Sequence, residues 1–117
     1  MGLLIEVCER ENNVTIIEIK GEITFENCEQ FREKINELTD NGKSRIVINL
    51  ANLKYMSSSG MGVLVHGLKK TRQFGGDLKL TNLDGKMRKV FLITQFTHHF
   101  GVFQSVDDAV NSFANEK

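Results

Sequence analysis

The side chains best suited to chemistry crowd into one stretch, Tyr55-Met56-Ser57-Ser58-Ser59-Gly60-Met61-Gly62-Val63-Leu64-Val65. Before it lies a near-continuous apolar run, Arg45-Ile46-Val47-Ile48-Asn49-Leu50, which reads as a strand covered on both faces. After it, Met61, Leu64, Val65 and Leu68 recur at i, i+3, i+4 and i+7, one face of a helix from about Ser58 to Phe74 that Gly75-Gly76 stops. Three consecutive hydroxyls thus stand at a helix start just past a central strand, where open α/β sheets place ligand and partner sites. The first N–H groups of a helix have no partners within it, and its dipole favours negative charge. A phosphate on a serine here would add about −1.5 to −2 charges where they are tolerated. Serine is also among the best N-caps, and the run could be only that. A cap needs one hydroxyl, which leaves two to account for. Gly60, Gly62 and Gly67 each cost roughly 1 kcal/mol of helix propensity against Ala, which implies close backbone approach to the sheet or to a partner.

Other arrangements carry less. A nucleophile elbow requires Gly-x-Ser-x-Gly, and Met56 stands two positions before Ser58, so a small serine hydrolase is the least favoured reading. His66, His98 and His99 are available bases, but no spacing marks one of them. Adjacent His98 and His99 diverge on either a strand or a helix, and no third ligand is marked nearby, so no metal is expected. His66, beside an apolar stripe, reads as a partner-contacting or solvated residue. Gly60-x-Gly62 is too short for a dinucleotide fingerprint, and no cofactor is expected. Cys8 and Cys28 lack metal-type spacing and each falls on an apolar stripe, so both are expected to be buried free thiols.

The rest of the chain supplies the scaffold. Leu3, Ile5 and Val7 alternate with polar neighbours, and Val14, Ile16 and Ile19 follow a polar turn, which predicts an antiparallel hairpin. Cys28, Phe31, Ile35 and Leu38 form a helical stripe, opened by an Asn27/Gln30 capping pair and closed at Asn41-Gly42. Leu78 to Thr81 is a strand, and Met87, Val90 and Phe91 mark a helix opening near Asp84. Val102-Phe103 is a brief strand, after which Ser105 caps a helix carrying Val106, Ala109, Val110 and Phe113. The order β-β-α-β-α-β-α-β-α predicts an α/β domain: a mixed, mostly parallel sheet with an N-terminal antiparallel hairpin and about four helices. Two helices should cover one face near the serine loop, with the hairpin edge free.

The 117 residues suit one domain, and 15 basic against 15 acidic side chains leave no net charge. The charge is unevenly spread: −4 over residues 1–52, +6 over 53–99 and −2 over 100–117. The basic middle could attract an acidic protein surface. With no Trp and one Tyr, the chain lacks the stacking aromatics and net positive charge of a nucleic-acid binder. No apolar run approaches the ~20 residues that span a bilayer, and no secretory leader opens the chain, so the expected location is the cytoplasm.

Together, Met56-Ser57-Ser58-Ser59-Gly60-Met61-Gly62-Val63-Leu64 and the preceding Ile46-Val47-Ile48-Asn49-Leu50 resemble the signature of STAS domains of the anti-sigma factor antagonist type. In that signature a strand is followed by Asp-Ser-Ser/Thr-Gly-Leu/Met-Gly, opening a helix. Gly21-Glu22-Ile23, Leu92-Ile93-Thr94-Gln95-Phe96 and Phe103 to Ala109 fit the same pattern, so the resemblance spans residues 1–117 as one STAS domain. It implies a phosphorylation-controlled protein switch and not an enzyme. The unmodified form would bind an anti-sigma factor that is also an ATP-dependent serine kinase, releasing its sigma factor, and a serine phosphatase would reset the modified form. By position the acceptor is Ser58, with Ser57 and Ser59 as lesser candidates. The partner face would comprise Met56, Ser57, Ser58, Ser59, Gly60, Met61, Gly62 and Val65, with Leu53 beside it. Ser57 departs from the pattern, standing where the family usually has Asp. That departure raises the alternative of a STAS partner switch, or a transporter-associated subunit, outside sigma-factor control.

Overall fold

The structure is a computed structural model, and residues 2–83, 85, 88–89 and 99–114 are described. Strands β1 (Leu3–Arg10) and β2 (Val14–Ile23) form the expected hairpin, in antiparallel register from Leu3 opposite Gly21 to Arg10 opposite Val14. A single 3-10 turn at Glu11–Asn13 joins them. Asn12 and Asn13 take left-handed φ values of 65° and 60°, which asparagine tolerates better than most residues. Helix α1 (Cys28–Asp40) follows, then β3 (Arg45–Asn49), β4 (Leu53–Met56), α2 (Ser58–Gln73), β5 (Asp77–Thr81), β6 (Gly101–Phe103) and α3 (Val106–Phe113). The sheet runs β1-β2-β3-β5-β6, antiparallel at β1 and parallel elsewhere, and β4 pairs with β2 off this path.

Strand β4 has no counterpart in the sequence reading. Its four residues are too few to show alternation, and it exists because β2 is long. The first half of β2, Thr15 to Glu18, pairs with β3, and its last part, Gly21 to Ile23, pairs with β4. Between them the chain leaves β3, turns with Leu53 N–H donating to the Leu50 carbonyl at 3.2 Å, and rejoins β2. Register shifts at Gly21, whose φ of 99° and 2.2 Å gap from an ideal Cβ to the Gly2 carbonyl oxygen admit only glycine.

The two faces of the sheet are covered differently. Phe31 and Ile35 of α1 pack with Met61, Leu64 and Leu68 of α2 over Ile17, Ile19, Ile46, Ile48, Leu78 and Leu80. Both helices thus lie on one face, as expected. On the other face Ala109, Val110 and Phe113 of α3 cover Val14, Ile16 and Val47. Buried Lys79 reaches this second cluster: its Nζ donates to Ser112 Oγ at 2.7 Å and stands 3.8 Å from the Phe113 ring centre. Ser105 caps α3 as expected, accepting from Asp108 N–H at 3.1 Å.

Two local expectations are corrected. Cys28 is buried but Cys8 is exposed, because on edge strand β1 it falls out of step with the Leu3, Ile5, Val7 stripe. Asn27 does not cap α1 with its side chain. It turns back instead, accepting from Thr24 N–H at 2.8 Å and donating to the Glu22 carbonyl at 3.0 Å. Of the helix expected to open near Asp84, Gly85, Arg88 and Lys89 are described and helical, while Met87, Val90, Phe91 and the Leu92–Phe96 segment lie outside the described residues. Among the described residues no helix is long and apolar enough to cross a membrane.

Gly67 marks where α2 touches the core: an ideal Cβ would lie 2.8 Å from Leu78 Cδ1 and 3.1 Å from Ile35 Cδ1, both fully buried. Gly67→Ala should lower stability by about 1–2 kcal/mol despite its better helix propensity, because overpacking costs more than the backbone gains. The midpoint and slope of urea unfolding check this; an unchanged or raised midpoint would contradict it.

Candidate functional site

Strand β4 delivers the serine run to the edge of the core. Met56 lies opposite Ile23, and Ser57 N–H donates to the Ile23 carbonyl at 2.9 Å, continuing the β2–β4 ladder by one residue. Ser57 is extended and caps α2: its Oγ accepts from Gly60 N–H at 3.2 Å, and its carbonyl accepts from Met61 N–H at 3.1 Å. Ser59 turns to the same place, its Oγ 2.6 Å from Ser57 Oγ. Ser58 alone of the three is exposed, and its hydroxyl makes no hydrogen bond to the described residues. The three alcohols are therefore unequal: one caps the helix, one is bonded to the cap, and one is presented to solvent. No acidic side chain occupies the first turn of α2, so none neutralises the positive end of its dipole.

The glycines separate in the same way. An ideal Cβ at buried Gly60 would lie 2.7 Å from Ile23 Cγ2 and 2.8 Å from Met56 Cγ, so this glycine lets α2 settle on β2 and β4. Gly62 is exposed, and a Cβ there would meet nothing within 4 Å. Leu53, Met56, Gly60 and Met61, expected on the partner face, are buried and form the floor beneath it. The reason is periodicity: Met61 belongs to the stripe that α2 presses on the sheet, and Leu53 and Met56 turn inward at the two ends of β4. What remains at the surface is Ser58, Gly62 and, half-buried, Ser57, Ser59 and Val65.

Two further residues stand differently from the sequence reading, which takes His66 as partner-contacting or solvated and leaves Phe25 unremarked. His66, one turn past Gly62, joins a polar seam between α1 and α2. Its Nε2 lies 2.8 Å from Asn36 Oδ1, which also accepts from Lys70 Nζ at 2.9 Å, and Lys70 pairs with Asp40 at 3.1 Å. Partial burial, and then the charges of Arg32 and Lys70, push the imidazole below its ordinary pKa, against the opposing effect of Glu29. The i, i+4 spacing of Asn36 and Asp40 was visible, but their partners on α2 were not. Phe25, on the turn beside this site, is exposed. Among the described residues no group of three or more His, Cys, Asp or Glu side chains could hold a metal ion. His98 lies outside the described residues, and His99 is exposed.

Comparison with known proteins places the chain in a family. The STAS domain profile fits residues 6–109, and the chain belongs to that family. It is 35% identical over 94 residues to the anti-sigma-B factor antagonist of Bacillus subtilis, covering 80% of this chain and 84% of that one. An anti-sigma factor antagonist from Mycobacterium paratuberculosis shares the fold with a TM-score of 0.88 at 18% identity, over 97% of this chain and 96% of that one. The Bacillus cell fate determinant SpoIIAA in its phosphorylated form superposes with a TM-score of 0.73 at 24% identity, over 93% and 98% of the two chains.

Two outcomes follow from the packing. Gly62→Ala should stabilise the protein by up to about 1 kcal/mol, and Gly60→Ala should destabilise it by about 1–3 kcal/mol, both read from urea unfolding. A loss at Gly62 or a gain at Gly60 would contradict the assignment. For His66 the folded state favours the neutral ring, so the unfolded chain binds the proton first as pH falls below about 6.5. Wild type should thus lose more stability between pH 7 and pH 5 than His66→Gln does, a difference that vanishes above pH 7. Parallel stability–pH curves for the two proteins would rule this out.

Proposed function

We propose that this STAS domain is an anti-sigma factor antagonist whose docking is controlled by phosphorylation of Ser58. The unmodified surface around Ser58 and Gly62 binds an anti-sigma factor and frees the sigma factor it held. The anti-sigma factor is an ATP-dependent serine kinase that modifies Ser58, and a serine phosphatase restores the docking form. The chain acts as a binding module in the cytoplasm, without catalysis or a cofactor of its own.

One observation carries the choice of Ser58: it is the exposed, unengaged hydroxyl in a run whose other two are held in the helix cap. A phosphate there sits at a helix start with no acid in its first turn, where the fold tolerates it. The same charge is poorly tolerated inside an interface. Burying it unpaired costs several kcal/mol, and a loss of about 3–4 kcal/mol weakens binding some 10²- to 10³-fold. The names of the relatives support the sigma-factor setting, and SpoIIAA, which shares the fold, has a phosphorylated form.

Ser57, where the family has Asp, favours a second reading in which the same switch serves a pathway outside sigma-factor control or a transporter-associated assembly. Serine and aspartate are comparable N-caps, so the substitution keeps the turn and removes a charge. A kinase that reads that charge would not read this chain. Affinity purification separates the two readings: an anti-sigma kinase supports the first, transporter subunits the second.

Intact-mass analysis after incubation with the kinase and ATP should show one phosphate on wild type, Ser57→Ala and Ser59→Ala, and none on Ser58→Ala. Modification that persists in Ser58→Ala would refute the assignment. Ser58→Asp should bind the anti-sigma factor at least 10²-fold more weakly than wild type in a calorimetric titration.

A further inference from the structure

Phe25 has the greatest fractional exposure of any large hydrophobic side chain among the described residues, 79%. It occupies the turn between β2 and α1, and that turn is tightly fastened. Thr24 N–H donates to Asn27 Oδ1 at 2.8 Å, and Asn27 Nδ2 donates to the Glu22 carbonyl at 3.0 Å. The N–H groups of Asn27 and Cys28 both donate to the Thr24 carbonyl, at 3.3 and 3.0 Å. Cys28 Sγ lies 3.5 Å from the carbonyl of Phe25 itself. The backbone around Phe25 is thus held from both sides while the ring is left in water. An aromatic ring on a pre-ordered backbone loses little further freedom on docking and brings a large apolar area, the usual properties of an interface anchor.

Its position ties it to the serine site. The Ile23 carbonyl accepts from Ser57 N–H, and the Ile23 side chain lies under Gly60. Phe25 is two residues further on, at most about 7 Å of backbone away. The chain on either side of Phe25 is acidic. Glu22 precedes it, Glu26 follows it, and Glu29 and Glu33 occupy the first two turns of α1. Arg32 is the basic residue among them, engaged by Glu29 at 3.1 Å.

We infer that Phe25 is the apolar anchor of the docking surface that contains Ser58. The partner receives its ring in an apolar pocket rimmed by lysine or arginine, set beside the cleft that accepts the serine. This rests on the reading of the chain as an antagonist of an anti-sigma kinase, and it adds a residue and a partner chemistry to that reading. The rim charges steer encounter, and the buried ring slows dissociation.

The test is a binding series on the intact chain, using each purified anti-sigma factor kinase of the source organism as probe. The proteins compared are wild type, Phe25→Ala, Phe25→Leu, Glu26→Lys and Ser58→Asp. Phe25→Ala should weaken binding about thirtyfold or more, with an unchanged urea midpoint. Phe25→Leu, which keeps an apolar side chain, should recover part of the loss and guards against a folding artefact in the alanine variant. Glu26→Lys should slow association and flatten its salt dependence. If Ser58→Asp abolishes binding while Phe25→Ala stays within twofold of wild type, the anchor is refuted and the antagonist reading stands. If wild type binds none of the kinases, both fall together.

Discussion

The site depends on one hydrogen bond of the sheet, from Ser57 N–H to the Ile23 carbonyl. It ends the β4 ladder on β2 and fixes the residue from which α2 starts. Ser57 then serves the sheet with its backbone N–H and the helix with its carbonyl and its Oγ. A residue held in three directions has little freedom, and the turn it anchors inherits that rigidity. Ser58 follows with its hydroxyl unclaimed. The contrast between a fixed cap and a free neighbour makes this turn suitable for a switch: a group can be added at Ser58 without removing any bond that forms the turn.

Packing supports the same division. Gly60 lets α2 approach β2 and β4 so closely that a methyl group would collide with Ile23 and Met56, while Gly62 faces open solvent one half-turn later. The helix is therefore seated firmly on its inner side and left bare on its outer one. An exposed glycine inside a helix costs about as much as one at a tight contact, yet the fold gains nothing from it at Gly62. Among the described residues, what that bare backbone would accommodate is an approaching surface, not a neighbour within the chain. The buried methionines on either side, Met56 and Met61, fix the height of the turn above the core and do not reach its surface.

How far the sequence discloses this depends on the range of the interaction concerned. The helices α1, α2 and α3 were legible because each writes a 3.6-residue period over three or more turns, or carries a serine cap. The parallel sheet followed from their alternation with strands. Strand β4 was hidden, because its reason to exist is the surplus length of β2, far earlier in the chain, where Gly21 lies opposite Leu53. Asn27 looked like a cap by residue type and spacing, but its amide found better partners behind it in Glu22 and Thr24. Cys8 is one residue out of step with Leu3, Ile5 and Val7, so it lies on the opposite face of edge strand β1 and is exposed. The serine run was visible as chemistry. Its division of labour was not, since Ser57, Ser58 and Ser59 differ in hydrogen-bond geometry and not in type.

The choice of serine over aspartate as the cap of α2 can be weighed in these terms. An aspartate at that position would cap α2 and also place a negative charge against its positive end. Serine supplies the cap and omits the charge, and here it also holds Ser59 at 2.6 Å, an arrangement in which either oxygen can be the donor. A carboxylate could only accept there. The neutral pair therefore leaves Ser58 without an adjacent anion before modification. A phosphate at Ser58 would add the same charge behind either cap, but behind serine it would be the first anion in the turn.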